Sequence, residues 1–223
     1  MGYNIAIDGP AGAGKSTIAR LVAKEKGYIY VDTGAMYRGL AVHFLNRGIS
    51  PEETDKIKEA CQDAEVSIGY EDGQQQIYLN GENITSRLRL EEVGNMASVS
   101  SANPKVREWL LSLQRDLAAK HDVVMDGRDI GTTILPNAEV KIYLTASVET
   151  RARRRYLELE DKGISCDLEE IKKDIRERDK RDMTREISPL RQAEDAALVD
   201  TSDLTIPQVV KRILQIYQEK MAN

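Results

Sequence analysis

The sequence has few of the residues that build histidine-based or cysteine-based sites. Its 223 residues include only two cysteines, Cys61 and Cys166, and only two histidines, His43 and His121. The cysteines lie far apart with no partner at metal-ligand spacing, so we expect reduced thiols rather than a disulfide framework. Two isolated histidines argue against a zinc site and against a Ser-His-Asp triad. Any chemistry must therefore proceed without imidazole.

Long apolar runs and targeting segments are also absent. The sequence contains no run of about 18 apolar residues, which argues against a transmembrane helix. Its N-terminus enters an apolar run without a secretory or myristoylation pattern. With 32 Lys and Arg against 37 Asp and Glu, the formal charge is −5, which disfavours a general binder of nucleic acid or anionic membranes. We therefore expect a cytoplasmic protein without such partners. Because no heptad seam or large apolar stripe is visible, we expect a monomer.

The chain alternates short apolar runs with helical patterns. Helical periodicity marks segments such as 15–26 and 104–119. Alternation of this kind predicts a parallel β-sheet covered by helices, an α/β fold. Five runs are candidate strands of that sheet: 3–8, 28–31, 122–126, 139–145 and 197–199.

Two segments break the alternation, residues 60–100 and 150–191. Between residues 64 and 86, apolar and polar residues alternate with a period of two, and the pairs Asp72-Gly73 and Asn80-Gly81 are typical of tight hairpin turns. This pattern predicts a three-stranded antiparallel meander inserted into the α/β chain.

A glycine-rich segment between the first strand and the first helix matches the phosphate-binding motif G-x-x-x-x-G-K-[ST]. Glycines let backbone N–H groups surround a polyphosphate, and the helix N-terminus adds partial positive charge. Lys15 is expected to reach the β and γ phosphates, and Ser16 to hold Mg²⁺. The motif therefore predicts ATP as phosphoryl donor and Mg²⁺ as cofactor. The nucleotide-binding residues are Gly9, Pro10, Ala11, Gly12, Ala13, Gly14, Lys15, Ser16 and Thr17.

Polar residues follow two other predicted strands. Asp126 ends one strand and runs into Gly127-Arg128-Asp129, and Asp32-Thr33-Gly34 ends another, with Arg38 one helical turn later. Ligands of open α/β sheets bind beyond the carboxyl ends of the strands. An N-K-x-D base-reading stretch is absent, which excludes the usual GTPase pattern. For Arg107, taken alone, a solvated surface position is the favoured interpretation.

Arginine is concentrated near the C-terminus: nine of the 18 arginines lie within residues 151–191. In a helix predicted to start after Asp167, an apolar stripe continues into three charged residues, Arg178, Asp182 and Arg185. A preceding helix carries three arginines on one side, Arg151, Arg154 and Arg155. Two such helices, joined around Gly163, can close on an anion. A solvated helical hairpin remains the alternative, because 151–191 contains 11 acidic and 13 basic residues.

Phosphoryl transfer from ATP to another phosphate accounts for these features together. A phosphate acceptor is already anionic and needs no general base. It needs positive charge to bring two polyanions together, and charged hydrogen bonds from arginine contribute ~1.5–3 kcal/mol each. An arginine-rich lid would also exclude water.

Read in order, four motifs resemble those of the bacterial cytidylate kinases: the phosphate-binding loop, residues 32–38, Gly127-Arg128-Asp129 and residues 178–182. The resemblance covers essentially the whole chain, including the β insert. It implies a single P-loop kinase domain over residues 1–223, with a five-stranded parallel sheet, the antiparallel meander in a monophosphate-binding insert at about 60–100, and a helical lid at about 150–190. It also implies that MgATP phosphorylates CMP and dCMP in pyrimidine metabolism.

The same resemblance implies roles for individual residues. The cytosine would be read by Thr33, where the family often has serine, and by Ser98, Arg107 and Asp129. The acceptor phosphate would be bound by Arg38, Arg128 and Arg185, and the sugar by Arg178 and Asp182. The resemblance leaves open which of Arg151, Arg154 and Arg155 reaches the γ-phosphate. The expected catalytic residues are Lys15, Arg128, Arg151, Arg154, Arg178 and Arg185.

Two other functions remain open from the residues. A kinase of UMP, AMP or a phosphate-free metabolite would share the donor site, and a hydroxyl acceptor would need Asp129 as a base. A nucleotide-dependent regulatory or nucleic-acid-binding module would use the arginine hairpin on a partner. Steeply salt-dependent binding of nucleic acid would distinguish such a module from a kinase.

Overall fold

A computed structural model describes residues 2–222 of the chain. Over this range the chain forms eight strands: β1 (Asn4–Asp8), β2 (Ile29–Asp32), β3 (Val66–Glu71), β4 (Gln74–Leu79), β5 (Glu82–Asn83), β6 (Val123–Gly127), β7 (Val140–Thr145) and β8 (Ala197–Asp200). Five of them form one parallel sheet in the order β2-β6-β1-β7-β8. The predicted five-stranded parallel sheet is therefore confirmed.

Eight α-helices accompany these strands within the described residues: α1 (Lys15–Lys26), α2 (Thr33–Asn46), α3 (Thr54–Ala60), α4 (Glu91–Ser100), α5 (Pro104–Lys120), α6 (Val148–Asp161), α7 (Leu168–Thr184) and α8 (Ile206–Met221). A π-helical turn, Ile130–Ile134, follows β6. Within residues 2–222, no helix has the length and apolarity needed to span a membrane.

The chain divides into two compact units. One consists of the described residues up to Tyr30 and from Lys120 onward, and the other of Val31–Ala119. In the first unit, β1 is central: it pairs with β6, placing Asp8 beside Gly127, and with β7, placing Asp8 beside Tyr143. Because all these strands run in parallel, their carboxyl ends meet at one edge, which is where ligands of such sheets bind.

Apolar side chains on the strands and on two helices make the core of the first unit. Ile7 of β1 and Ile142 of β7 are buried together with Val22 of α1 and Ile213 of α8. Burying side chains of this size contributes about 1.5–3 kcal/mol each. This core fixes α1, and with it the loop between β1 and α1.

Helix α7 begins as the sequence predicts and ends one residue early. The carboxylate of Asp167 caps its N-terminus by accepting from the backbone N–H groups of Glu169 and Glu170. The helix ends at Thr184, and Arg185 has an extended backbone, φ −61° and ψ 142°. The prediction that Arg185 continues the helical stripe is therefore wrong, because the chain turns out of the helix at that residue.

The second unit contains the antiparallel meander β3-β4-β5. Its two turns use Asp72 (φ 50°) with Gly73 (φ 73°), and Asn80 (φ 50°) with Gly81 (φ 83°). Two consecutive residues with positive φ are the signature of a two-residue hairpin turn, so the predicted meander and its turns are confirmed. The meander packs on α2.

A buried histidine lies on α2 in the same unit. His43 is 7% exposed, and its Nε2 atom has no hydrogen-bond partner within residues 2–222. Burial, reinforced by the positive charge of Arg47, lowers the pKa of His43 below 6.5. The imidazole therefore remains neutral in the folded protein at pH values where an unfolded chain would already bind a proton.

We expect His43 to make the protein sensitive to mild acid. Because folding lowers the pKa of His43, the unfolded chain binds a proton at His43 more readily than the folded protein does. The contribution of neutral His43 to the free energy of unfolding is therefore complete above about pH 6.5 and is lost as the pH falls below that value. His43→Gln should therefore lose less stability than the wild type between pH 7.5 and 5.5, measured by urea unfolding. His121→Gln, at an exposed position, is the matched control. Equal losses for wild type and His43→Gln would contradict this expectation.

Candidate active site

The loop between β1 and α1 has the backbone geometry of an anion cradle. Gly9, Gly12 and Gly14 have φ values of 152°, 75° and 87°, which side chains disfavour. A Cβ atom on Gly9 would lie 1.9 Å from the carbonyl oxygen of Leu144, so only glycine fits there. Gly14 is the N-cap of α1 and has no side chain to cap the helix. The first N–H groups of α1 are therefore available to a phosphate.

Lys15 lies buried within this loop. Its Nζ atom donates a hydrogen bond of 2.8 Å to the carbonyl oxygen of Pro10. Burial, together with the nearby positive charge of Arg128, lowers the pKa of Lys15 from 10.5 to about 7. A phosphate group bound in the loop would oppose both effects, so Lys15 is suited to respond to an anion.

Ser16 and Asp126 bring two oxygen donors together beside the loop. The hydroxyl of Ser16 donates to Oδ2 of Asp126 at 3.0 Å, and the hydroxyl of Tyr30 donates to Oδ1 at 2.9 Å. Mg²⁺ prefers oxygen ligands, and in nucleotide sites it takes one or two from the protein and the rest from phosphates and water. The chemistry of this donor pair therefore fits Mg²⁺.

Asp8, which the sequence arguments missed, connects the end of β1 to the segment after β6. Its carboxylate accepts hydrogen bonds of 2.8 Å from the backbone N–H groups of both Ile130 and Gly131. Burial raises the pKa of Asp8 to about 6, although the two N–H groups oppose that shift. These bonds hold in place the segment that carries Arg128 and Asp129.

Four charged residues predicted on the acceptor side form two ion pairs within the first unit. Nε of Arg128 donates to Oδ2 of Asp182 at 2.8 Å, and Nη2 of Arg185 lies 3.6 Å from Oδ1 of Asp129. Burial alone would raise the pKa of Asp182, but the charge and hydrogen bond of Arg128, together with the charges of Arg178 and Arg185, outweigh burial and lower the pKa. Arg178 is close enough to lower the pKa of both Asp182 and Lys15. The structure thus brings these predicted residues together near the phosphate-binding loop.

Arg151 and Arg154 of α6 are held by protein groups. Arg151 binds the carboxylate of Asp179 on α7 and the carbonyl oxygen of Ala11. Arg154 donates to the carbonyl oxygen of Thr201 at 2.7 Å and to its hydroxyl at 3.1 Å. Their contact with phosphate remains a prediction. Asp179 was missed because the sequence offers no signal that separates it from the exposed acidic residues around it.

The second unit holds the other predicted acceptor residues. Thr33 is buried at the start of α2, and Arg38 is half-buried one turn later. Arg107 on α5 is 8% exposed, lies 5.6 Å from the ring centre of Tyr37, and donates to the carbonyl oxygen of Ser101 at 3.3 Å. The interpretation of Arg107 as a solvated surface residue is therefore wrong. Ser98 is half-buried on α4.

The chain is similar to known proteins over nearly its whole length. A family model described as cytidylate kinase matches residues 5–219. The chain is 48% identical over 220 residues to a cytidylate kinase of Caldicellulosiruptor bescii, covering 99% of this chain and 97% of that protein. It is 51% identical over 216 residues to a cytidylate kinase of Ligilactobacillus salivarius, with coverage of 97% and 96%.

Solved structures show a similar fold at low sequence identity. A shikimate kinase from Acinetobacter baumannii has a TM-score of 0.51 and 18% identity, with 100% of this chain and 97% of that chain covered. This likeness supports the P-loop kinase fold. The family model and the near-complete coverage at about half identity show that the chain belongs to the cytidylate kinase family.

Proposed function

We propose that this protein transfers the γ-phosphoryl group of ATP to CMP or dCMP, giving ADP and CDP or dCDP in pyrimidine nucleotide metabolism. Its family membership supports the reaction. The structural observation that carries it is the cluster of arginines and carboxylates beside the phosphate-binding loop, in which Arg128 lies close enough to Lys15 to lower its pKa. We also propose that the protein is a monomer, because the sequence has no heptad seam, and that it works in the cytoplasm, because Cys61 and Cys166 are free thiols.

We propose that residues 9–17 bind the phosphates of ATP. The backbone N–H groups of the loop and of the start of α1 would bind the phosphate oxygens, and Lys15 would leave the carbonyl oxygen of Pro10 to reach the β and γ phosphates. Ser16, with Asp126 behind it, would hold Mg²⁺, which neutralises phosphate charge when bound. The reacting phosphoryl group would thus lie at the N-terminus of α1.

Arg38, Arg128 and Arg185 are proposed to bind and orient the acceptor phosphate. The acceptor oxygen needs no proton removed, so the task of these side chains is to offset charge repulsion and to align the oxygen with the γ-phosphorus. Arginines acting on the transferred group contribute about 10³–10⁵ in rate. The pairing of Arg128 with Asp182, and of Arg185 with Asp129, holds two of them in defined positions before substrate binds.

Recognition of cytidine is proposed for a separate set of residues. Thr33, Ser98, Arg107 and Asp129 would read the base, and Asp182 and Arg178 the sugar. Support comes from the buried state of Arg107, whose guanidinium is fixed by Tyr37 and by the carbonyl of Ser101. A fixed donor that loses its partner is costly, so a site of this kind can reject a base that lacks the matching acceptor.

The acceptor profile tests the proposed function directly. We expect CDP and dCDP formation from ATP with CMP and dCMP, and at least about tenfold lower kcat/KM with UMP and AMP, because unpaired base-reading groups discriminate strongly. A coupled assay that follows ADP measures all four acceptors. Absence of CDP formation, or higher kcat/KM with AMP or UMP, would refute the proposal.

Lys15 makes ATP binding depend on pH. Because the pKa of Lys15 is about 7 and phosphate oxygens favour its charged form, raising the pH from 7 to 9 should weaken MgATP binding by about tenfold or more. Lys15→Ala should bind more weakly at pH 7, show a flatter pH dependence and lose turnover while keeping its circular dichroism spectrum. Calorimetric titrations measure the affinities. A wild-type Kd that is constant from pH 7 to 9 would contradict this assignment.

Arg185 is expected to act on the acceptor. Arg185→Met should raise the KM for CMP by about tenfold or more, because a charged hydrogen bond is lost, and should leave the KM for ATP within about threefold. Arg181→Met, an exposed arginine of α7, is the matched control and should resemble the wild type. Initial rates with each substrate varied in turn provide both constants. A raised KM for ATP with an unchanged KM for CMP would move Arg185 to the donor side.

A further inference from the structure

One buried ion pair connects α6, α7 and the phosphate-binding loop. The guanidinium of Arg151 donates two hydrogen bonds to the carboxylate of Asp179, from Nη1 to Oδ1 at 3.1 Å and from Nη2 to Oδ2 at 2.6 Å. The same guanidinium donates to the carbonyl oxygens of Ala11 and Ala146, both at 2.9 Å. The side chains of Arg151 and Asp179 are only 5% and 13% exposed.

We propose that Arg151 and Asp179 are a positioning pair that holds α7 in register with the phosphate-binding loop, and that Arg151 acts through Asp179 rather than on the transferred phosphoryl group. This proposal deepens the proposed function and rests on it. It assigns Asp179 a role in phosphoryl transfer, and it removes Arg151 from the three arginines that the resemblance leaves as candidates to reach the γ-phosphate.

The hydrogen-bond donors of Arg151 are nearly all engaged. A guanidinium has five N–H donors, and four of them are used by the four bonds to Ala11, Ala146 and Asp179. A direct phosphate contact would have to break bonds to a buried carboxylate. Leaving that carboxylate uncompensated is strongly unfavourable.

Stability alone is a weak explanation for the pair. Removing two charges from water costs several kcal/mol per ion, and replacing a buried ion pair by apolar residues is often neutral or stabilising. Apolar contact between α6 and α7 is already supplied by Ala152, Ile171 and Ile175. What the ion pair adds is direction, since a two-pronged bond fixes both distance and angle.

The position of Asp179 on α7 explains how the pair could affect substrate binding. Arg178 directly precedes it, and Asp182 follows three residues later, less than one helical turn away. Asp182 in turn receives the hydrogen bond from Arg128. A shift of Asp179 relative to the carbonyl of Ala11 would therefore move the acceptor-side residues of α7 relative to the loop that holds the donor phosphates. In-line transfer tolerates little such displacement.

A double-mutant cycle tests the proposal. Asp179→Asn keeps the shape of the side chain and removes its charge, and Arg151→Met removes the guanidinium. We expect each single variant to lower kcat with CMP by about 30-fold or more. The kcat of the double variant should lie within about threefold of that of the less active single variant, because both changes break the same ion pair. Arg151→Lys should also lose activity, since an ammonium group lacks the planar fork that makes the two bonds to the carboxylate of Asp179.

Two controls separate positioning from a loss of folding or of charge. The exposed pair Arg176 and Glu149 also joins α7 to α6, with 3.6 Å between Nη2 and Oε1, so Glu149→Gln should keep the wild-type kcat. Ile171→Ala should lower the melting temperature of the same hairpin. At temperatures well below melting, it should nevertheless keep kcat within about threefold of the wild type. If Ile171→Ala lowers kcat as much as the pair variants do, the role is structural and the proposal fails.

The competing direct-contact role gives a different pattern. If Arg151 touches the phosphoryl group, Arg151→Met should lose 100-fold or more, Arg151→Lys should retain much of the rate, and Asp179→Asn should stay within about twofold of the wild type. That result would overturn the proposal. Calorimetric binding of MgATP to all variants gives a second cycle that requires no acceptor. Wild-type protein that makes no CDP refutes the proposed function, whereas additive losses in both cycles refute only the positioning pair.

Discussion

Two backbone hydrogen bonds to one buried carboxylate set the geometry on which the active-site charges depend. β1 ends at Asp8, where the chain enters the phosphate-binding loop, and the carboxylate of Asp8 holds the N–H groups of Ile130 and Gly131. The residues that precede those amides are Arg128 and Asp129. The parallel pairing of β1 with β6 brings the two segments to the same sheet edge, and Asp8 then fixes their spacing. A Cβ atom on Gly131 would lie 3.1 Å from Cδ of Lys141 and 3.4 Å from Oδ2 of Asp8, so a side chain there would press on both groups.

The arrangement of the arginines of residues 151–191 is compatible with the binding of small polyanions by an acidic protein. The whole chain carries a formal charge of −5, and the acidic residues near these arginines cancel much of their long-range field. At short range the result is different, because Asp179 and Asp129 orient Arg151 and Arg185 of this segment, and Asp182 orients Arg128. The carboxylates thus define where each guanidinium points. Such preorganised charge stabilises a developing transition state without reorganisation during the reaction.

Local features of both fold and site could be predicted from the sequence. The glycine loop, the strand ends and the Asp-Gly and Asn-Gly turns each depend on residues a few positions apart, and their structures follow the pattern. Features that depend on distant partners could not. The amides bound by Asp8 are 122 and 123 residues away, and Asp179 is 28 residues from Arg151. The burial of Arg107 was missed for the same reason: its guanidinium lies over the ring of Tyr37, on another helix.

The number of donors left on each guanidinium distinguishes substrate binding from positioning better than helical spacing does. Nε of Arg128 donates to Asp182, and its Nη1 donates to the carbonyl oxygen of Gly127 at 3.4 Å. The side chain of Arg128 is 20% exposed. Arg151 donates four of its five N–H groups to protein acceptors, and its side chain is 5% exposed. Both arginines lie in motifs that helical spacing or strand position marks as anion sites. Only Arg128 retains the donors and the access that a phosphate requires, so the two are suited to different tasks.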